Sequence, residues 1–442
     1  MAGPNSATLR LLPFRAVRYH ASDAELAALT APPYDVIDED ERRSLEAAHP
    51  HNVVRLILPR DPNETSEPPA GEPADPSDGH PPSDRYASAA QTFDRWLDDG
   101  ILGVDAEPAL YVYQQSRPGA VIQRGLLGAV VVLPLDGGVI LPHENVRTGP
   151  VEDRLALMRA MEANPEPIFL LYDGGGSATT ISAAAVNGTP LASAQTADGI
   201  LHQLWSITDS SDLAAIAADL AQRQAMIADG HHRYTTYGYL RDELHAAGRG
   251  PGPWDAGLAL LVDDSVATPD IRAIHRVVPG LSFEAATAAA ASAFRVERLD
   301  GNDGVGSALA LLAGQHGPAF VVTDGDSIAL LRDPDADRLE AAKPAGRTAA
   351  WWALDASIAG VFVMETLWGV SDAAGQVEAE HDPEAALRLA KASAGIALLL
   401  NPAPLAGITA VAAAGDAMPR KSTLFLPKPR SGIVMRSFRF DA

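Results

Sequence analysis

Between Asp229 and Arg233 the chain sets an acid, a glycine, two imidazoles and a guanidinium in consecutive positions. Met226-Ile227-Ala228 before them read as the end of a buried strand. Tyr234, Tyr237, Leu240 and Leu244 after them fall on one face of a helix. A strand that stops at a glycine and turns at once into a helix exposes backbone N–H groups at the positive end of the helix dipole, where phosphate is favoured. The chemistry expected is phosphate handling. Gly230 permits close backbone approach, Arg233 forks onto oxygens, and His231 and His232 donate hydrogen bonds or carry protons near neutral pH. Three nitrogen-rich side chains at that end of a dipole are unfavourable without an anion. The competing expectation is a plain helix start, with Asp229 as its N-cap and the histidines exposed. A metal shared by the histidines is disfavoured, because neighbouring helical residues point about 100° apart.

Three further clusters have side chains suited to chemistry. In His143-Glu144-Asn145, with Arg147, Asp153 and Arg154 beyond, Glu144 suits a general base oriented by His143 or Asn145, and Arg154 suits a substrate carboxylate or phosphate. The same residues also make a polar loop ahead of a helix capped by Asp153. In Pro33-Tyr34-Asp35 the prolines stiffen the turn, so Asp35 is either a base, a substrate anchor or a cap for the next helix. In Pro419-Arg420-Lys421-Ser422-Thr423 two cations stand beside two hydroxyls, which suits an anionic substrate or simply a solvated basic loop. No Walker loop, nucleophile elbow or dinucleotide fingerprint occurs, and Gly174-Gly175-Gly176 reads as a loop.

The elements that must position these residues are mixed. Strands are expected at 52–58, 109–113, 125–135, 167–172, 204–207, 258–262, from 275, at 320–323 and 327–331, and at 396–400. The strands at 320–323 and 327–331 form a hairpin over Asp324-Gly325-Asp326. Helices are expected around 86–97, 153–163, 213–220, 234–244, 283–294, 352–368, from Pro383, and at 405–414. Helices and strands follow one another without regular β-α-β alternation, so an α+β fold of mixed sheets with flanking helices is expected. The stretch 59–84, rich in Pro, Glu, Asp, Ser and Gly, reads as a disordered insertion. Two regions are expected, 1–205 and 206–442, the second carrying the Asp229–Arg233 segment and the two sharing one site. With 442 residues and 47% hydrophobic content the chain can bury a large core. A net charge of -23 argues against a nucleic-acid partner and for a small-molecule or protein partner. With no cysteine, thiolate metal sites, thiol nucleophiles and disulfides are excluded. No signal pattern or membrane-spanning apolar run is visible, so a cytoplasmic protein is expected.

Four stretches, in this order, carry a resemblance: Ala31-Pro32-Pro33-Tyr34-Asp35-Val36-Ile37, Leu141-Pro142-His143-Glu144, Ile227-Ala228-Asp229-Gly230-His231-His232-Arg233-Tyr234 and Met418-Pro419-Arg420-Lys421-Ser422-Thr423. Together they resemble a widespread bacterial family catalogued as a domain of unknown function and often labelled SerC-like. The Asp-Gly-His-His-Arg segment is also similar to the phosphate-binding box of the ParB/sulfiredoxin superfamily, which includes free-serine kinases. The resemblance implies a ParB/sulfiredoxin-like nucleotide-binding core. It further implies a nucleotide-dependent small-molecule kinase, phosphorylating free L-serine to O-phosphoserine with Mg²⁺ and ATP or ADP. It places phosphate at Gly230, His231, His232 and Arg233, with Asp229 and Tyr234 completing the expected nucleotide-binding segment. The substrate would lie at Tyr34, Asn145, Arg154, Lys421, Ser422 and Thr423, with Glu144, then Asp35, as the base beside His143. A homodimer is compatible with this reading. A non-catalytic nucleotide switch, or a phosphatase or hydrolase using His231 or His232, is the alternative. Leu424-Phe425-Leu426 stand where the family usually has an aromatic-rich stretch, and no lysine site of a pyridoxal-phosphate aminotransferase is seen.

Overall fold

Continuous apolar runs decide where the sheet centres lie. The computed structural model describes residues 7–61, 84–300, 304–372 and 375–441, so most of the expected disordered insertion at 59–84 lies outside the described residues. The chain divides into two units. Unit 1 comprises Met1–Leu141, Val146–Pro269 and Pro427–Ala442, and unit 2 comprises Pro142–Asn145 and Asp270–Leu426. Each mixes helices with strands, as the irregular order of elements predicts.

Unit 1 is built on a nine-stranded sheet. Its strands are β1 (Leu11–Leu12), β2 (Leu110–Arg117), β3 (Ala120–Val131), β4 (Ile140–Leu141), β5 (Ile168–Tyr172), β6 (Ala192–Gln195), β7 (Leu201–Ile207), β8 (Ala225–Asp229) and β9 (Ala256–Asp263). They lie in the order β4-β8-β5-β9-β3-β2-β7-β6, with β1 on β3. The pairs β8–β4 and β9–β5 are parallel and the others antiparallel. β5 and β9 are buried along their whole length, which is why they read as unbroken apolar runs rather than alternating ones. The helices of this unit include α1 (Asp84–Asp98), α2 (Thr148–Met161) and α3 (His231–Ala246). Helix α3 is seated by two tyrosines. Tyr234 Oη exchanges hydrogen bonds with the backbone N–H and C=O of Leu133, and Tyr237 Oη donates to Leu258 O at 3.0 Å. A side chain at Gly257 would run into the Tyr237 ring, so the glycine on β9 sets how closely α3 approaches the sheet.

Unit 2 has a six-stranded antiparallel sheet made of β10 (His275–Val278), β11 (Arg295–Leu299), β12 (Phe320–Thr323), β13 (Ile328–Arg332), β14 (Glu378–Glu380) and β15 (Ile396–Leu399), in the order β11-β13-β12-β15-β10-β14. β12 and β13 form the expected hairpin, with Thr323 opposite Ile328, Gly325 at φ 96° and Asp324 accepting from the N–H groups of Asp326 and Ser327. Its core gathers Val277, Val321, Leu330, Ala386 and Leu399.

Three local expectations change. The strand expected at 52–58 is a helical turn, Val54–Ile57. Asn52 is fully buried and its side-chain oxygen accepts from Val54 N–H while its amide reaches Ala28 O and Thr30 O, so a side chain takes over the hydrogen bonding a strand would use. The helix expected from Asp153 starts earlier, at Thr148, because Pro150 falls in the first turn, where a missing N–H costs nothing. The helix expected over 352–368 is a short α turn, Asp355–Ile358, continued by a π-helix, Ala359–Leu367.

Candidate functional site

The turn between β8 and α3 is the strand-glycine-helix junction read from the sequence. A β-bulge between Ile227 and Asp229 re-aims the strand end, and Gly230 carries the chain into α3 at φ 92°. A side chain there would press on Ile168 Cγ2 at 3.0 Å and Arg233 Nε at 3.2 Å, so glycine is required by both conformation and space. Gly230 itself is the N-cap, and no side chain caps the helix. Asp229 is not the cap that the competing expectation made it. Its carboxylate is taken by two cations instead: Oδ2 by Arg233 at 2.6 Å and Oδ1 by Lys428 Nζ at 2.6 Å.

From that carboxylate a chain of alternating charges runs through unit 1. Lys428 Nζ also donates to Asp35 Oδ2 at 2.8 Å, so one ammonium bridges two acids. Arg233 is buried; it donates to Pro167 O at 2.6 Å and lies 4.0 Å from Glu166. Glu166, also buried, accepts from Tyr34 N–H at 3.0 Å and Ser431 Oγ at 2.9 Å and faces Arg154 at 3.8 Å. Arg154 forks onto Asp153 and donates to Ile57 O at 2.7 Å, while Asp153 also accepts from Arg85 and Tyr86 of α1. The Tyr34 ring covers the Arg154 guanidinium at 4.0 Å and lies 5.8 Å from that of Arg233.

The electrostatics follow from this alternation. Burial pushes the Lys428 ammonium toward neutrality, but Asp229 and Asp35 together outweigh it and hold the lysine charged. Burial pushes the Asp35 carboxyl up, and Lys428 and Arg233 more than reverse this, so Asp35 sits below the usual carboxylate range. Burial also opposes charge on Arg233, yet Glu166, Asp229 and Asp35 raise its pKa well above the ordinary value. Burial pushes the Tyr34 phenol up to about 12, keeping it neutral. His232 is shifted down by burial and by Arg147, and its Nε2 accepts from Arg147 N–H at 3.0 Å. Its proton is therefore on Nδ1. The negative charge that the clustered cations require is thus supplied largely by the protein's own Asp229, Glu166 and Asp35.

Of the residues singled out from sequence, Tyr34, Asp35, Arg154, Asp229, Gly230, Arg233 and, at its edge, His232 meet in this network. His231 is buried at the helix start and Tyr234 faces the core. His143, Glu144, Asn145, Lys421, Ser422 and Thr423 belong to unit 2. There the buried His143 ring meets Thr423 Oγ1 at 3.2 Å and packs on Phe425, and its carbonyl accepts from Met418 N–H. Ser422 Oγ closes a turn on Pro419 O at 2.6 Å, Glu144 is half-buried on a bend, and Asn145 and Lys421 are exposed. Sequence reading missed Lys428 and Glu166. Each is a single charged residue between two prolines, Pro165-Glu166-Pro167 and Pro427-Lys428-Pro429. Prolines on both sides fix the backbone and remove competing N–H donors, which is a readable signal for a charge held in place. Among the described residues, no three His, Asp or Glu side chains gather as a metal site, and no helix is long and apolar enough to cross a membrane.

Comparison with known proteins places residues 11–357 in the family described as "Protein of unknown function (DUF1015)", and the chain belongs to that family. A search of curated proteins finds no match. Among solved structures, SbnI with C-terminal truncation from Staphylococcus aureus is similar over 70% of this chain and 86% of that chain, at 14% identity and a TM-score of 0.35. A free serine kinase in complex with AMP is similar over 69% of this chain and 88% of that one, at 12% identity and a TM-score of 0.32. A mutant of a free serine kinase in complex with ADP aligns over 66% and 86%, at 11% identity and a TM-score of 0.33.

Proposed function

We propose that unit 1 binds a nucleotide phosphate at the start of α3 and transfers a phosphoryl group to the hydroxyl of a small molecule, free L-serine being the first acceptor to try. The observation that carries this reading is the Asp35–Lys428–Asp229 bridge beside a helix start with no side-chain cap. Phosphoryl transfer asks a protein for positioning and charge neutralisation more than for covalent chemistry. The α3 start and Gly230 offer close backbone approach to phosphate oxygens, and His232 Nδ1–H adds a donor at its edge. Asp35, with its side chain 35% exposed and its carboxyl held ionised, accepts the proton of the acceptor hydroxyl as the new O–P bond forms and the bond to the leaving phosphate breaks. Lys428 fixes Asp35 in place and offsets charge near it. This favours Asp35 over Glu144 as the base, because Asp35 shares its lysine with the Asp229–Arg233 turn. Arg233 and Arg154 act through the network: they hold Glu166, Tyr34 and Asp229 where they stand.

At this site the described residues offer the Mg²⁺ implied by the resemblance no carboxylate oxygen of its own. Both oxygens of Asp229 are engaged by Arg233 and Lys428, and Asp35 carries Lys428 on one oxygen and takes the acceptor proton on the other. The acceptor L-serine rests on the sequence resemblance to free-serine kinases.

The test is direct. The full chain is incubated with L-serine, Mg²⁺ and, separately, ATP, ADP and pyrophosphate, and phosphoserine is followed by mass spectrometry. Turnover with one donor is expected. Nucleotide binding without transfer to serine or any other hydroxy compound overturns the kinase reading and leaves a nucleotide-binding switch.

A further inference from the structure

Unit 2 contains a cavity of about 360 Å³, in the range of small-molecule sites. Its walls mix apolar residues, Ile274, Leu354, Leu400, Pro402 and Pro404 among them, with the polar Gln315, Asn401 and Ser422. One carboxylate, Asp355, enters it from the first turn of the Asp355–Ile358 helix, beside the Asn401 side chain. Asn401 hydrogen-bonds the Asp355 carboxylate and also donates to Leu312 O at 3.2 Å. No lysine, arginine or histidine lines the cavity, and Asp355 makes no ion pair among the described residues. His275, next to the lining Ile274, accepts from Leu400 N–H, and burial holds its imidazole down at about 4, so it brings no charge. Burial raises the Asp355 carboxyl to about 6, with only the Asn401 amide acting against it. At neutral pH an ionised acid therefore faces a cavity of mixed lining without a cation. Asp153, Glu166 and Asp229 are each met by arginine or lysine, and the buried Asp263 by the Thr179 and Ser265 hydroxyls and the Ser265 N–H.

We propose that this cavity binds a small primary amine, its ammonium on Asp355 and its compact apolar body against Ile274, Leu354, Leu400, Pro402 and Pro404. The ammonium supplies the charge that the walls lack, and the Asn401 amide fixes the carboxylate that receives it. The chain's net charge of -23 favours the approach of a cation. The site is separate from the phosphate reading of unit 1 and stands or falls without it.

The probes are phenethylamine, its neutral counterpart 2-phenylethanol and its anionic counterpart 3-phenylpropionate, titrated against the full chain by calorimetry near pH 7.5. The amine is expected to bind at least tenfold more tightly than the alcohol, and the acid more weakly than either. Asp355→Asn is expected to remove that amine advantage and leave alcohol binding unchanged. Ala403→Phe, which fills the cavity and leaves Asp355 in place, is expected to abolish binding of all three. Absence of amine binding by the unaltered chain, equal binding of amine and acid, or full amine binding by Ala403→Phe overturns the proposal. The amine-against-alcohol comparison needs no variant, so it decides the matter even where Asp355→Asn fails to fold.

Discussion

Replacing Lys428 by methionine tests the network at its most connected point. The side chain is 11% exposed and its Asp229 partner 13%, whereas Asp35 is 35% exposed. Removing one member of a buried ion pair costs about 3–5 kcal/mol, because the remaining charge is left without compensation. The more open Asp35 arm is screened by water and adds about 1 kcal/mol at most. With Asp229 still held by Arg233, the lower end of the first figure applies, and a local cost of roughly 3 kcal/mol is expected. That corresponds to about a hundredfold faster opening at each tenfold per ~1.4 kcal/mol. Hydrogen exchange of peptides covering 225–240 reads it directly, since β8 and the start of α3 carry both partners of the Asp229–Arg233 pair that Lys428 buttresses. The pH dependence has a definite sign. Asp35 has a folded pKa below its unfolded one, so the stability it contributes is present above its ordinary titration range and is lost as pH falls through the lowered value. Without Lys428 the upward push of burial on Asp35 loses the charge that most opposes it. Its carboxyl then takes up a proton more readily, and the gap between variant and unaltered chain narrows toward pH 4. A change under tenfold at neutral pH, or a gap that stays the same as pH falls, refutes the claim that Lys428 is held by its charge.

Asp35→Asn is expected to keep nucleotide affinity and lower serine-dependent phosphoserine formation by at least 10²-fold, the usual contribution of a general base; unchanged turnover moves the base elsewhere, with Glu144 next to be replaced. Gly230→Ala is expected to lower stability by about 2 kcal/mol, from a left-handed φ of 92° and the press on Ile168 and Arg233, measured as a shift in thermal midpoint; a neutral substitution would show that the turn can relax. His202 is buried between Tyr113 and Thr196, and burial lowers its pKa to about 4 from 6.5. The unfolded chain takes up that proton first, so stability is full above pH 6.5 and falls by up to about 3 kcal/mol as pH drops toward 4. Urea midpoints across that range should decline, and His202→Gln should flatten the decline.

What the chain order reveals about this site depends on how far apart the interacting residues are. The β8–Gly230–α3 junction was legible because strand, glycine and helical face are consecutive, and their local rules agree. The pairing of its charges was not, since Lys428 reaches Asp35 across 393 positions and Glu166 reaches Tyr34 across 132, and no spacing rule spans such separations. Residue type alone also misled at Asn52, where a β-rich stretch became a helical turn because one buried amide satisfied the backbone. Residues 229–233 show the same limit. Clustered cations at a helix start do demand negative charge, but the demand is equally met by a ligand or by carboxylates brought in from elsewhere in the chain. Here Asp229 is adjacent, while Glu166 and Asp35 arrive through the fold. A phosphate at Gly230 would therefore meet a junction whose strongest cation, Arg233, is already committed. Its binding would rest on the uncapped start of α3 and on Lys428, whose ammonium lies on the same Asp229 carboxylate. That makes Lys428, rather than Arg233, the side chain whose replacement should weaken nucleotide binding most.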